Sequence, residues 1–139
     1  MTQTPEERIA ETNLQYNKIT LDHIAHPRNV GRFEAADGEG TVDDAVTENR
    51  ITIYVRVRGD RITSARFRTF GCSACIAASS AVTVLARGLG LSEASALDLE
   101  RVDQALGGLP AEKRHCAEFA ARALQRAAAD ALKRLRPAG

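Results

Sequence analysis

Between Arg50 and Phe70 the chain spells two amphipathic strands in succession, and at Gly71 the period of its apolar residues changes. From Arg50 to Arg58 the residues alternate, setting Ile51, Ile53, Val55 and Val57 on one face and Thr52, Tyr54 and Arg56 on the other, as a strand with one wet face requires. Gly59 and Asp60 make a tight connection. The alternation then resumes, with Ile62, Ser64, Arg66 and Arg68 opposed to Thr63, Ala65, Phe67 and Thr69, so the two runs form a hairpin. Thr41 to Val46 is short and acidic, but Val42 and Val46 offer a third strand at the other edge. After Gly71 the residues from Ser73 to Arg87 are nearly all small or apolar, with no Gly or Pro among them, and that length favours a buried helix over another strand.

Helical periods dominate elsewhere. The segment from about Pro5 to His26 carries Leu14, Tyr16, Ile19, Leu21 and Ile24 and stops before Pro27, which disfavours helix in the residue ahead of it. Asn29 and Gly31 suit a turn. Gly88 and Gly90 end the buried helix; Ser92 can cap a short helix with Glu93 in its first turn, and Leu97 to Leu106 adds another. From Ala111 a long helix places Cys116, Phe119, Ala120, Leu124, Ala127, Ala131 and Leu135 at spacings of three and four, so one of its faces is core. This order predicts an α+β fold, a small antiparallel sheet of about three strands covered by helices. The 139 residues, 1–139, read as a single domain, long enough to bury a core without disulfide staples.

Composition excludes several functions. A net charge of +1 offers no field to gather nucleic acid, and aromatic residues are too few for a base-stacking platform. Lys133, Arg134 and Arg136 sit where a helix dipole favours cations anyway. No stretch approaches membrane-spanning length. The cysteine count is odd and the amino terminus lacks a basic segment followed by an apolar run, as expected of a soluble cytoplasmic protein with free thiols. No Ser–His–Asp arrangement, phosphate loop or paired-carboxylate motif is present, and no enzymatic activity is expected.

All three cysteines lie at or beyond Cys72. Cys72 falls where the second hairpin strand meets the buried helix, so unpaired amides and the positive end of the helix dipole favour its thiolate. Cys75 follows one helical turn later, on the same face. Cys116 comes directly after His115 at the start of the last helix. Together these supply three soft ligands and an imidazole, a set suited to zinc or an iron–sulfur cluster rather than to magnesium or calcium. The bland reading stands beside it: Cys75, inside an alanine-rich helix, can simply pack as a small apolar side chain. His115 can be solvated as well as ligating, and His23 and His26 read as surface or capping groups.

Asp22-His23 with Pro27-Arg28-Asn29-Val30-Gly31-Arg32-Phe33, then Ala65 to Cys72, then Ile76-Ala77-Ala78-Ser79-Ser80, and finally Leu109-Pro110 before Lys113-Arg114-His115-Cys116, resemble in that order the IscU/NifU-type iron–sulfur cluster scaffold proteins. The resemblance implies a fold on which iron, and sulfur from a cysteine desulfurase, are assembled into a [2Fe-2S] cluster passed on to acceptor proteins, by a monomer or homodimer. It maps two family cysteines onto Cys72 and Cys116, and the family histidine onto His115. The third, in the family's Cys-Gly-Asp loop, falls on Thr47-Glu48-Asn49. Threonine at 47 removes a ligand and candidate sulfur acceptor, and asparagine at 49 removes the charge that makes the cluster labile. Relocation offers an answer: Cys72, Cys75 and Cys116 hold the metal, with His115, Asp43 or Asp44 as fourth ligand. The family's chaperone-binding Leu-Pro-Pro-Val-Lys matches only at its ends, through Leu109, Pro110 and Lys113. Two other readings remain, a cluster-free or zinc-holding regulatory module that binds the desulfurase, and a thiol redox protein using Cys72 and Cys75.

Overall fold

The computed structural model describes residues 16–135. Strands β1 (Gly38–Asp43), β2 (Arg50–Arg58) and β3 (Arg61–Phe70) form one antiparallel sheet in the order β1-β2-β3. Helix α1 (Lys18–Ala25) precedes the sheet, and α2 (Ser73–Ala86), α3 (Leu91–Ser95), α4 (Leu99–Ala105) and α5 (Arg114–Leu135) follow it. The expected α+β architecture is the one observed. The hairpin faces inward through Ile51, Ile53 and Val55, each fully buried and each contributing about 1.5–3 kcal/mol by leaving water. Against them lie α2 and α5. On the opposite face the guanidinium groups of Arg56 and Arg66 stack on the Phe33 ring at 4.5 and 4.6 Å.

Pairing corrects the alternation expected of β3. Arg56 pairs with Ser64 while Val57 pairs with Ile62, so Thr63 is an extra residue, a bulge whose hydroxyl donates to the Arg56 carbonyl at 3.2 Å. The bulge resets the period. Ile62 therefore turns inward with Ala65 and Phe67, instead of lying with Ser64, Arg66 and Arg68.

The edge strand also begins earlier than Thr41 and ends before Val46, which is exposed in a turn. Its inward residues are Gly38, Gly40 and Val42. A Cβ on Gly40 would stand 2.5 Å from the Ala123 carbonyl oxygen and from the Ala127 amide, so α5 lies against bare backbone, presenting Ala123, Ala127 and Ala131 to it. Glycine here serves close approach, not a turn.

Helix starts differ in detail from expectation. Asn17 caps α1, its side-chain oxygen accepting from the Thr20 amide at 3.0 Å, so no helix runs unbroken through Tyr16 and Asn17; residues 5–15 of that expected helix, Leu14 included, lie outside the described residues. Gly90, not Ser92, caps α3, with its amide donating to Glu93 Oε1 at 2.9 Å. Asp98 caps α4. The turn Ala111–Lys113 is 3-10, and α5 proper starts at Arg114. Half-buried His23 is tied across to α2, its Nδ1 2.7 Å from Ser80 Oγ. Among the described residues no helix is long and apolar enough to cross a membrane.

Candidate metal centre

β3 ends at Phe70 and α2 begins at Ser73, leaving Gly71 and Cys72 to turn the chain. Gly71 has a φ of +155°, and a Cβ there would meet Asn49 Oδ1 at 2.5 Å. Glycine thus admits the buried Asn49 side chain against the backbone. Cys72 occupies the N-cap of α2, half-buried, while Cys75 in the first turn and Cys116 in the first turn of α5 are fully buried. The two helix starts meet at one end of the fold. There the Cys72 Sγ is 3.8 Å from Cys75 Sγ and 3.6 Å from Cys116 Sγ, and all three sulfurs lie within 4.8 Å of one another. Metal–sulfur bonds of about 2.3 Å in a tetrahedron put sulfurs about 3.8 Å apart. Both separations from Cys72 match that spacing, so the donor set suits a soft metal.

Charge is unequally shared. The Cys116 thiol, then the Cys75 thiol, hydrogen-bond to Cys72 and hold it well below an ordinary thiol against the effect of burial, helped by the Cys75 amide and the Lys113 charge. The Cys116 contact, then the Cys72 contact and burial, push Cys75 up; the Cys72 contact and burial push Cys116 up, with the Cys75 contact opposing. The three sulfurs thus form one hydrogen-bonded group in which Cys72 takes up negative charge most readily. Tyr16, placed in the sequence as an apolar helical position, is buried beside them: burial first, then the charges of Cys72, Cys116 and Cys75, raise its hydroxyl to about 12. Only long-range packing reveals that neighbourhood.

Thr47, Asn49, Cys72, Lys113 and His115 line one open cavity of about 480 Å³. The loop that carries no cysteine thus shares a cavity with Cys72. Glu48 adopts a φ of +60°, a conformation that favours glycine. Thr47 Oγ1 donates to Asp44 Oδ2 at 2.7 Å, and the Val46 amide donates to Asp44 Oδ1 at 3.0 Å; these bonds hold the Asp44 carboxyl below the usual range. Asp43 is paired with Arg50. Neither acid joins the sulfur group. His115 also stands outside it, with Nε2 3.6 Å from Cys116 Sγ and its ring edge-on to Phe119 at 5.6 Å. Leu109 is buried, its amide donating to Asp103 Oδ1 at 2.8 Å, whereas Pro110 and Lys113 are half-exposed.

Residues 15–136 match the model of the NifU-like N terminal domain family. Over 115 residues the chain is 47% identical to the iron-sulfur cluster assembly scaffold protein IscU 1 of Archaeoglobus fulgidus, covering 83% of this chain and 75% of that protein. It is 37% identical over 122 residues to the iron-sulfur cluster assembly scaffold protein IscU of Aquifex aeolicus, covering 86% and 78%. Among solved structures, a nitrogen-fixing NifU-like protein (N-terminal) from Brucella abortus superposes with a TM-score of 0.59 at 19% identity, covering 95% of this chain and 97% of that one.

Proposed function

Since the chain belongs to the NifU-like N terminal domain family, we propose that it is a scaffold on which iron and sulfur are assembled into a cluster and handed on to acceptor proteins. The convergence of Cys72, Cys75 and Cys116 within 4.8 Å carries this reading. In it, a cysteine desulfurase supplies sulfur to Cys72, the half-exposed thiolate. The other two sulfurs then join as ligands, losing their protons as metal binds. His115 completes the shell by rotating from its place beside Cys116. The cluster, [2Fe-2S] in this proposal, is cargo, so the protein holds and transfers rather than turning over a substrate, in the cytoplasm.

Relocation of the third thiol is part of the reading: Cys75 stands in for the loop position occupied by Thr47. Anaerobic reconstitution with ferrous iron and sulfide, followed by visible absorption, tests it. Wild type is expected to develop sulfide-to-iron charge-transfer bands that Cys72→Ala, Cys75→Ala and Cys116→Ala each abolish or strongly weaken. A wild type without bands overturns the scaffold reading; a Cys75→Ala variant that binds as wild type does overturns relocation.

The compactness of the triad favours a second reading. Sulfurs this close suit one tetrahedral ion, so a zinc-holding module that binds the desulfurase is the alternative. Stoichiometric zinc in protein as isolated, with tight desulfurase binding and no cluster after reconstitution, would select it.

A further inference from the structure

The pair Cys72 and Cys75 has a property that ligation does not use. Cys72 sits at the helix N-cap with part of its surface in solvent, and Cys75 lies one turn in, fully buried, with its sulfur 3.8 Å from that of Cys72. A Cys-x-x-Cys at a helix start, with the first sulfur partly in solvent and the second buried beside it, is the arrangement of a dithiol that opens and closes as a disulfide. The sulfurs need approach by under ~2 Å to reach the bonded separation of about 2.05 Å. Both belong to one turn, so the closure is local.

We infer that Cys75 is a resolving thiol: it reduces a sulfane sulfur carried on Cys72 to hydrosulfide inside the protein, so that sulfur arrives as persulfide and is released as sulfide without an external reductant in that step. This rests on the reading that Cys72 receives sulfur. The Cys75 sulfur attacks the Cys72 Sγ; the Cys72–Cys75 S–S bond forms and the bond from Cys72 Sγ to the terminal sulfur breaks. The sulfane sulfur gains two electrons and leaves as hydrosulfide, taking the proton of the Cys75 thiol, and the two cysteine sulfurs are oxidised to the disulfide. A dithiol reductant then restores both thiols by exchange, becoming a disulfide itself. Until it does, two of the three ligands are unavailable, so reduction of the pair must precede metal loading.

Cys116 is as near to Cys72, at 3.6 Å, but it belongs to another helix. The start of that helix is pinned by Arg114, which pairs with Glu100 and Asp103 on α4. Bridging to Cys116 would couple two elements, whereas bridging to Cys75 changes one turn.

The test uses reduced, metal-free full-length protein, charged anaerobically with inorganic polysulfide, desalted at once and followed by intact mass and peptide mapping. Wild type is expected to pass from a species one sulfur heavier to one two hydrogens lighter, releasing one hydrosulfide per molecule, with Cys72 and Cys75 in one linked peptide. Cys116→Ala should still make the conversion, and Cys75→Ala should keep the extra sulfur. The inference is overturned if the wild-type persulfide lasts as long as that of Cys75→Ala, if Cys72 takes up no sulfur, or if the bridge maps to Cys72 and Cys116. Reconstitution from preformed sulfide on the same preparations separates the two ideas. A cluster that forms there while the persulfide persists sinks the resolving role alone; hydrosulfide release without any cluster sinks the scaffold reading alone.

Discussion

Cys72 and Cys116, 44 positions apart in the chain, hold their sulfurs 3.6 Å apart where the first turns of α2 and α5 meet. Proximity at that distance lets one sulfur stabilise the negative charge of the other, and the Cys116 thiol is the largest single cause of the lowered Cys72 value.

Cys72 is therefore expected to react with iodoacetamide at pH 6, where an ordinary thiol of pKa about 8.5 is almost wholly protonated, while Cys75 and Cys116 stay unmodified. Removing the donor in Cys116→Ala should shift the alkylation profile to higher pH more than Cys75→Ala does. Mass spectrometry of quenched time points measures it; equal labelling of all three cysteines at pH 6 would contradict the charge distribution.

Gly40→Ala should cost about 1–3 kcal/mol of stability, the usual penalty of overpacking, because the new methyl would meet α5 backbone that cannot swing aside. Gly59→Ala provides a contrast of another kind: nothing stands within 4 Å of its added Cβ, and its φ of +63° leaves only local strain. Urea unfolding of both variants checks this. Crowding against α5 predicts the larger loss for Gly40→Ala; equal losses in the two variants would show that local backbone conformation, not contact with α5, decides both.

Burial, then the Arg28 charge, lowers the His23 value below 6.5, with Asp22 opposing. The unfolded chain therefore binds the proton more readily than the folded one. Stability is complete above the unfolded value and falls as pH drops through 6.5 toward the folded value. His23→Gln should flatten that part of the profile in denaturant titrations between pH 7.5 and 5, run on metal-free protein; an unchanged slope would show that another group carries it.

Thr47→Cys places a thiol on the cavity that Cys72 and His115 also line. With four thiols available, reconstituted protein should retain iron longer against a chelator than wild type does. The double variant Thr47→Cys with Cys75→Ala should regain the binding that Cys75→Ala loses, as relocation requires. Absence of rescue would mean that the loop no longer reaches the site.

Period carried most of the fold to the reader of the sequence. The hairpin and α2 are visible because alternation gives way to a long apolar run at Gly71, and local order decides both. The bulge at Thr63 is not visible, since it exists only in how two strands pair. The early start of β1 is hidden for a different reason: Gly38 and Gly40 have poor strand propensity, and only the nearness of α5 makes them the right residues. At the site, Cys72 and Cys75 announce themselves by spacing, and Cys116 by its place at a predicted helix start. Tyr16 gave no signal, because its role as neighbour to the thiols depends on tertiary packing. Asp43 and Asp44 suited the sequence as hard ligands, but pairing with Arg50 and the turn through Thr47 claim their oxygens.

Burial of Cys75 and Cys116 behind Cys72 leaves the centre a single berth. In the scaffold reading proposed above, a protein delivering sulfur and a protein collecting the finished cargo would both approach from the Cys72 side, and would therefore compete for one face and take turns at it by occupancy alone.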